Sequence, residues 1–295
     1  ARATTAATPG PGAFDVDALA AERALERTLT AEGALLLPAK SFEIEPYFTY
    51  KRSVSDSPTL AQEGNAILAR SFEVRRNEFD IGLRARFGLP YDAQIELDLP
   101  YRSVDQSVLI PTGLSAFDEQ SRTGSSLGDV KVGVAKTLLR ESDWRPDLVG
   151  RLTWDTDTGD TIDNDVALGI GFNEARVSLT ALKRQDPIAF TASLAYSTAF
   201  EKNGVEPGDE VSLLLGASLA ASPGTSLSVA LAQTFSSETR IDGQKVTGSD
   251  QVSSSLLIGA SSILGRQTLF SLTGAVGLTD DAPDYGVNLS LPIRF

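Results

Sequence analysis

The sequence lacks cysteine, histidine and methionine altogether over its 295 residues. Without cysteine there is no disulfide, no thiolate nucleophile and no sulfur ligand for a metal. Without histidine, the commonest general base and the commonest zinc ligand are both missing. A serine nucleophile would need a lysine or a similar base, and no residue is marked out for that role. The composition therefore predicts a protein that is not an enzyme and that uses no cofactor.

Long apolar runs are also absent. No segment approaches the roughly 20 apolar residues of a transmembrane helix, which excludes a helical membrane protein. The net charge of −13 argues against a nucleic-acid partner, because phosphate binding needs a basic face. The missing methionine at position 1 and the missing signal peptide indicate a processed or truncated chain. Residues 1–14, rich in Ala, Thr, Pro and Gly, are predicted to form a flexible linker.

One helix is predicted, and it lies near the start of the chain. Residues 15–31 are rich in Ala, Leu, Glu and Arg, and Asp15 or Asp17 can cap the first turn. Gly33 follows the last turn as a stop signal. We treat residues 15–40 as a helix and its tether.

Period-two alternation of apolar and polar residues begins at residue 41 and continues to the end of the chain. It predicts about 12 strands, most of them with the roughly 9–11 residues that cross a bilayer. A switch of parity predicts a β-bulge near 172–174, with a turn there as the less favoured alternative. The links between strands alternate in length, as in outer-membrane barrels with short periplasmic turns and long external loops. The short links are 89–92, 141–146, 185–187, 222–224 and 265–267, and the long links are 53–66, 104–125, 156–164, 200–210, 237–250 and 279–284.

The residue types on the polar face of the strands distinguish a membrane barrel from a soluble one; we call the residues of this face the polar phase. In the last six strands this phase consists mainly of Ser, Ala, Gly and Thr. A soluble β-sandwich or lipocalin-like barrel would more often carry Lys and Glu on that face. We therefore predict an all-β fold, a 12-stranded antiparallel transmembrane β-barrel over residues 41–295 with a short N-terminal plug helix. Outer-membrane lipid would surround it, and both of its ends would be periplasmic.

Charged residues of the polar phase are concentrated in the first five strands. They are predicted to face the lumen, since a charge on the lipid face costs up to about 2–4 kcal/mol. An ordinary polar pore lining is the alternative to a docking wall for the helix. The predicted lumen wall comprises Glu43, Glu45, Glu78, Asp80, Arg84, Arg86, Glu96 and Asp98. The predicted gating residues of the helix are Leu19, Glu22, Arg23, Glu26, Arg27 and Leu29.

An acidic stretch at 155–165 contains Asp155, Asp157, Gly159 and Asp160 and superficially looks like a calcium loop. It lacks the terminal Glu of an EF-hand, so a solvated external loop is the favoured interpretation. Whether this loop binds calcium stays open at the level of sequence.

Two segments resemble known proteins. The last strand ends in YGVNLSLPIRF and resembles the C-terminal strand that the assembly machinery of bacterial outer-membrane proteins recognises. The helix ALERTLTAEGALLLP, followed by FEIEPYFTY and the predicted barrel, resembles the outer-membrane secretion channel of the Pseudomonas functional-amyloid (Fap) system. The most specific part is residues 22–38. That resemblance implies a helix that plugs the lumen, unfolded amyloid subunits as cargo, and a homotrimer formed by a periplasmic coiled coil upstream.

The favoured function is thus secretion of unfolded amyloid subunits through an outer-membrane channel gated by the helix. The alternative is a passive channel for small hydrophobic or aromatic solutes, and a third possibility is a purely structural or adhesive barrel. Secretion requires a displaceable plug and a wide lumen. Solute uptake favours a narrow lumen with a fixed binding site, and a structural barrel would have its lumen filled by barrel side chains.

Overall fold

A computed structural model describes residues 18–63, 66–111, 117–265 and 267–295. Side chains are described over 25–56, 72–109, 118–265 and 267–295. Within these residues the structure contains one α-helix, one extensive antiparallel sheet and two small sheets formed by connections: Ile162–Asp163 with Val166–Ala167, and Val205–Glu206 with Arg240–Ile241 and Gln244–Lys245. That helix is neither long enough nor apolar enough to cross a membrane.

Twelve antiparallel strands form a closed barrel, as predicted, and each strand pairs with its neighbours along the chain. Closure joins the first strand to the last, with Tyr47 opposite Ser290 and Ile44 opposite Ile293. Helix α1 spans Ala18–Ala31. The strands are β1 (Phe42–Glu63), β2 (Ala66–Leu89), β3 (Ala93–Pro111), β4 (Phe117–Leu127 and Lys131–Leu139), β5 (Asp147–Asp155), β6 (Glu174–Gln185), β7 (Ile188–Ala199), β8 (Glu210–Ser222), β9 (Thr225–Ser236), β10 (Gln251–Leu264), β11 (Thr268–Gly277) and β12 (Tyr285–Ser290 and Ile293–Arg294).

Two of the predicted long loops are wrong. Within the described residues, 53–63 and 66 belong to paired strands, and so do 104–111 and 117–125; β1 pairs with β2 up to Glu63 opposite Ala66. Apolar alternation is lost along these extensions, so the sequence carries no strand signal there. The predicted bulge at 172–174 is also wrong, since β6 begins at Glu174 and residues 156–173 form a connection.

Burial along the strands is the reverse of that in a soluble protein. Large apolar side chains point outward, and Ile81 and Val177 are 57% and 56% exposed. The polar phase is buried inside, with Glu43 and Gln94 each only 2% exposed. Such an apolar outer belt around a polar interior fits lipid outside and water inside.

Aromatic rings border the outer belt at both ends. Tyr50 lies 5.0 Å from Phe79 and 6.0 Å from Tyr285, measured between ring centroids, at one end. Phe42 and Phe295 are 6.3 Å apart at the other. Aromatic girdles of this kind mark the two interfaces of an outer-membrane barrel. We call the end that carries the tight turns, where β1 begins, the short-turn end, and the opposite end the long-loop end.

Candidate functional site in the barrel lumen

Helix α1 ends inside the barrel, and its last turn is closed by hydrogen bonds typical of a glycine C-cap. The backbone N–H of Ala34 donates to the Leu29 carbonyl at 2.8 Å, and that of Gly33 donates to the Thr30 carbonyl at 3.0 Å. Gly33 adopts a φ of 77°, which a residue with a side chain tolerates poorly. The helix therefore stops where the sequence predicts, and the chain reverses within the lumen.

The wall of small residues receives the helix. Leu25 and Leu29 form a cluster with Leu182 of β6 and Ala189 of β7, and Leu29 is 0% exposed. The Thr28 hydroxyl lies 2.6 Å from the hydroxyl of Ser261 on β10. Helix α1 also contacts β8, β9 and β11. Small side chains on these strands leave the roughly 10 Å diameter that a helix needs.

The segment after the helix returns along the opposite side of the lumen. The Leu37 N–H donates to the side-chain oxygen of Gln94 at 2.8 Å, and the Lys40 N–H donates to the Gly88 carbonyl at 2.8 Å. A Cβ at Gly88 would lie 2.1 Å from the Pro38 carbonyl oxygen, so only glycine permits this approach. Residues 25–41, which we call the inner segment, thus extend from the small-residue wall to β2 and β3.

The predicted lumen-wall residues lie on the inner face and pair with one another across strands. Arg86 contacts Glu43 at 3.0 Å and Glu45 at 2.7 Å. Arg84 contacts Glu45 at 3.2 Å and Asp98 at 3.4 Å. These charges oppose each other directly in the sheet register, with Glu43 opposite Arg86 and Arg84 opposite Asp98. Further pairs on this wall are Arg102–Asp80, Arg151–Glu96 and Arg294–Glu43 across strands, and Arg76–Glu78 along β2.

The end of the helix contacts this charged wall through two wall arginines, which donate to backbone carbonyls. The expected pairing of helix side chains with the wall stays a prediction. Arg86 donates to Ala31 at 3.3 Å, and Arg151 donates to Gly33 at 3.2 Å. Cations at a helix C-terminus are favoured because the last carbonyls are unpaired and the dipole is negative there.

The predicted gating residues of the helix fall into two groups. The side chains of Leu19, Glu22 and Arg23 lie outside the described residues. Of the others, Leu29 is in the buried cluster, Glu26 lines a cavity at the short-turn end, and Arg27 donates to the Gln267 carbonyl. Burial and the nearby Arg294 lower the pKa of Arg27, and Glu43 raises it.

Several contact residues were not identified from the sequence. Gln94, Leu182 and Ser261 belong to the inner phase of their strands, but nothing in that phase marks which of its members meet the helix. Glu32 was not identified from the sequence either. Its side chain is exposed to the central cavity, but its enclosure within the barrel raises its pKa to about 7, although hydrogen bonds from Ser228 and Ser218 act in the opposite direction.

The tip of the inner segment stands between two cavities. A cavity of about 510 Å³ lies on the small-residue side, and its lining includes Glu32, Arg176 and the hydroxyl residues of β6–β9. A cavity of about 280 Å³ lies on the charged side and is lined by Gly33, Arg84 and Lys131. Both cavities are bounded by polar side chains interspersed with apolar groups, among them Ala34 and Ala195 in the larger one.

The acidic stretch at 155–165 does not present a metal site. Within the described ranges, no group of three or more His, Cys, Asp or Glu side chains is placed to hold a metal ion. Its carboxylates contact protein donors instead, among them Lys131 for Asp155 and the Ser126 hydroxyl for Asp160.

Comparison with known proteins supports the fold. No family model matches the sequence. An outer-membrane channel from Pseudomonas putida F1 superposes with a TM-score of 0.66 at 15% identity, covering 88% of this chain and 97% of that chain. The transport unit of the autotransporter AIDA-I from Escherichia coli gives 0.48 at 11% identity over 92% and 97% of the two chains. The Ralstonia pickettii toluene transporter TbuX gives 0.44 at 6% identity over 88% and 90%. The fold is that of an outer-membrane barrel, and the resemblance to amyloid-secretion channels stays a prediction.

Proposed function

We propose that this protein is an outer-membrane channel whose lumen is closed by the inner segment and opens when that segment withdraws. The observation that carries the proposal is the complete burial of Leu29 between inward-facing side chains of the barrel. A helix packed there occupies the space through which any cargo would pass. In this proposal the short-turn end faces the periplasm.

The contacts of the inner segment suit a plug that can be displaced. The wall arginines that touch it keep their carboxylate partners, Glu43 for Arg86 and Glu96 for Arg151, when it leaves. Withdrawal therefore leaves both of these arginines paired. The Thr28–Ser261 contact and the bond from Leu37 to Gln94 are each worth about 0.5–1.5 kcal/mol, because water replaces them on opening.

Unfolded amyloid subunits are the cargo that we favour. Removing the inner segment would leave a passage about as wide as a helix, roughly 10 Å, bounded by hydroxyl groups on one side and paired charges on the other. Such a polar passage suits an extended polypeptide, whose backbone is polar throughout. The choice of amyloid subunits, and of a homotrimer, depends on the resemblance of residues 22–38.

Small solutes are the second candidate. The cavity of about 510 Å³ falls in the size range of small-molecule pockets, which is roughly 300–1,000 Å³. Its lining combines hydroxyl groups with apolar groups such as Ala195 and Ala230, which is compatible with a small hydrophobic or aromatic solute that carries a polar group.

Deletion in the producing cell tests the cargo. If the proposal holds, cells without this protein lose amyloid from their surface and retain the subunits inside, while uptake of small aromatic compounds is unchanged. Normal surface amyloid together with impaired growth on an aromatic carbon source would favour the solute channel instead. A purified channel that begins near Ser41 should conduct more than the intact chain, whichever cargo is transported. Conductance therefore tests the gate independently of the cargo.

A further inference from the structure

The connection between β5 and β6, residues 156–173, lies against the inner face of the barrel wall at the long-loop end. We call it the crossing loop. Val166 and Leu168 are 1% and 4% exposed and pack on Val104 of β3. Val104 belongs to the same strand phase as Gln94, Asp98 and Arg102, which faces the lumen. The loop thus has a small apolar core of its own, directed toward the barrel wall.

Two wall arginines hold adjacent carbonyls of the crossing loop. Arg102 donates to the Leu168 carbonyl at 2.8 Å, while its Nε contacts Asp80 at 2.7 Å. Arg76 donates to the Ala167 carbonyl at 2.7 Å, and its Nε is bound by a wall carboxylate, that of Glu78. Each guanidinium is also bound by a carboxylate of the barrel wall. The loop carbonyls therefore accept hydrogen bonds from arginines whose positions are fixed.

All four carboxylates of the crossing loop are engaged by protein groups. Asp160 accepts from the Ser126 hydroxyl at 2.6 Å, and Asp163 accepts from the Ser125 N–H at 2.9 Å. The other two pairs are Asp165 with Arg122 and Asp157 with Lys202. A loop that was merely solvated would have no need of matching donors on β4.

The crossing loop touches the wall backbone to backbone. A Cβ at Gly124 of β4 would lie 2.5 Å from the Asp163 carbonyl oxygen, and a Cβ at Gly159 would lie 2.6 Å from the Gly128 carbonyl carbon. Contacts this close require glycine at both positions. These two close approaches hold the loop against the wall at Gly159 and Asp163, although residues 162–165 are themselves exposed.

The crossing loop also contacts the connection that follows β7, the strand next to β6. Lys202, which follows β7, contacts Asp157 and donates to the Gly171 carbonyl at 3.0 Å. Ile170 lines a cavity of about 170 Å³ that shares Glu210 with the larger lumen cavity. The loop therefore borders the route between the long-loop end and the central lumen.

We infer that the crossing loop is a fixed constriction, a second selectivity element that sets the upper size of molecules passing the long-loop end. The inference rests on the proposed channel function but not on the inner segment, because the two elements lie at different levels of the lumen. Arg76 and Arg102 are positioning residues for the constriction, and Val166 and Leu168 anchor it.

Thiol labelling in intact cells tests this inference, since the chain has no native cysteine. The probe position is Ser212→Cys, which lines the central cavity. The reagents are a small charged methanethiosulfonate and a maleimide attached to a long polyethylene glycol chain. Gln244→Cys, exposed at the long-loop end, is the accessible control, and Asp143→Cys in a short turn is the protected control.

With the native loop, we expect the probe cysteine to react with the small reagent and not with the polymer. Adding Val166→Asp and Leu168→Asp, or separately Gly124→Leu, should admit the polymer by displacing the loop from the wall. Two results would overturn the inference: polymer labelling at the rate of the accessible control with the native loop, or an unchanged size limit in both loop variants whose barrels remain folded. If conductance is unaffected by removing the inner segment, the gate is refuted while this labelling result is not.

Discussion

Leu29 offers a quantitative test of how the inner segment is held. Its side chain is 0% exposed and packs in the cluster with Leu182 and Ala189. Replacing a fully buried leucine by alanine removes transfer free energy and leaves a cavity, at a cost of about 2–5 kcal/mol. In the open state residue 29 has left the cluster, so the cost is specific to the closed state. We expect Leu29→Ala to shift the ratio of closed to open channels by at least about 30-fold, because 1.4 kcal/mol corresponds to a factor of ten.

Single-channel recording in planar bilayers measures that ratio as the fraction of time spent open. Leu36→Ala is the matched control, since Leu36 lies in the same segment, is only partly buried and does not belong to the cluster. It should leave the open fraction nearly unchanged. If both variants gate like the wild type, burial of Leu29 does not stabilise the closed channel and the reasoning fails.

Two further changes address Glu32 and Gly88. The pKa of Glu32 is raised to about 7 from its usual 4.5, so the seated segment prefers the protonated carboxyl, and its stability is greatest below pH 4.5 and is lost as pH rises through 7. The open fraction should therefore increase across that window, and Glu32→Gln should remove the dependence; a wild-type open fraction that is flat with pH would contradict this. Gly88→Ala should displace the return strand of the segment from Pro38 and raise the open fraction, whereas Gly274→Ala, where a Cβ meets nothing closer than 3.9 Å, should not. Equal conductance of these two variants would show that the close approach at Gly88 does not hold the segment.

Most of the fold could be predicted from the alternation of apolar and polar residues along the strands. Because side chains alternate strictly between the two faces of a strand, positions such as Ile81 and Glu43 could be assigned outward and inward from their phase alone. The extensions of the β1–β2 and β3–β4 hairpins were not predicted, because strands outside the bilayer need no row of apolar side chains on one face. Val166 and Leu168 look like residues of a spanning strand in the sequence, yet Val166 lies in a short hairpin with Ile162–Asp163 inside the connection, and both residues pack on Val104.

The sequence could not show which side of the lumen the helix packs against. The charged side chains pair with one another, and that pairing depends on strand register. Glu45 stands opposite Arg84, and Asp80 stands opposite Arg102, so the charged strands satisfy one another. This pairing of opposite charges follows from the register of neighbouring strands, which the sequence of one strand does not determine. The small residues of β8–β11 then provide the space that the helix occupies.

A reversible disulfide between α1 and β10 tests the central claim, closure by the inner segment, most directly. The hydroxyl oxygens of Thr28 and Ser261 lie 2.6 Å apart, and the chain has no other cysteine to compete. Ser107 and Ser121, whose hydroxyls lie 2.9 Å apart between β3 and β4, provide the control pair. Oxidised Thr28→Cys/Ser261→Cys channel should show no openings in planar bilayers and should recover them when a reductant is added, whereas the control pair should conduct alike in both states. Equal conductance of the oxidised and reduced Thr28→Cys/Ser261→Cys channel would contradict closure by this segment.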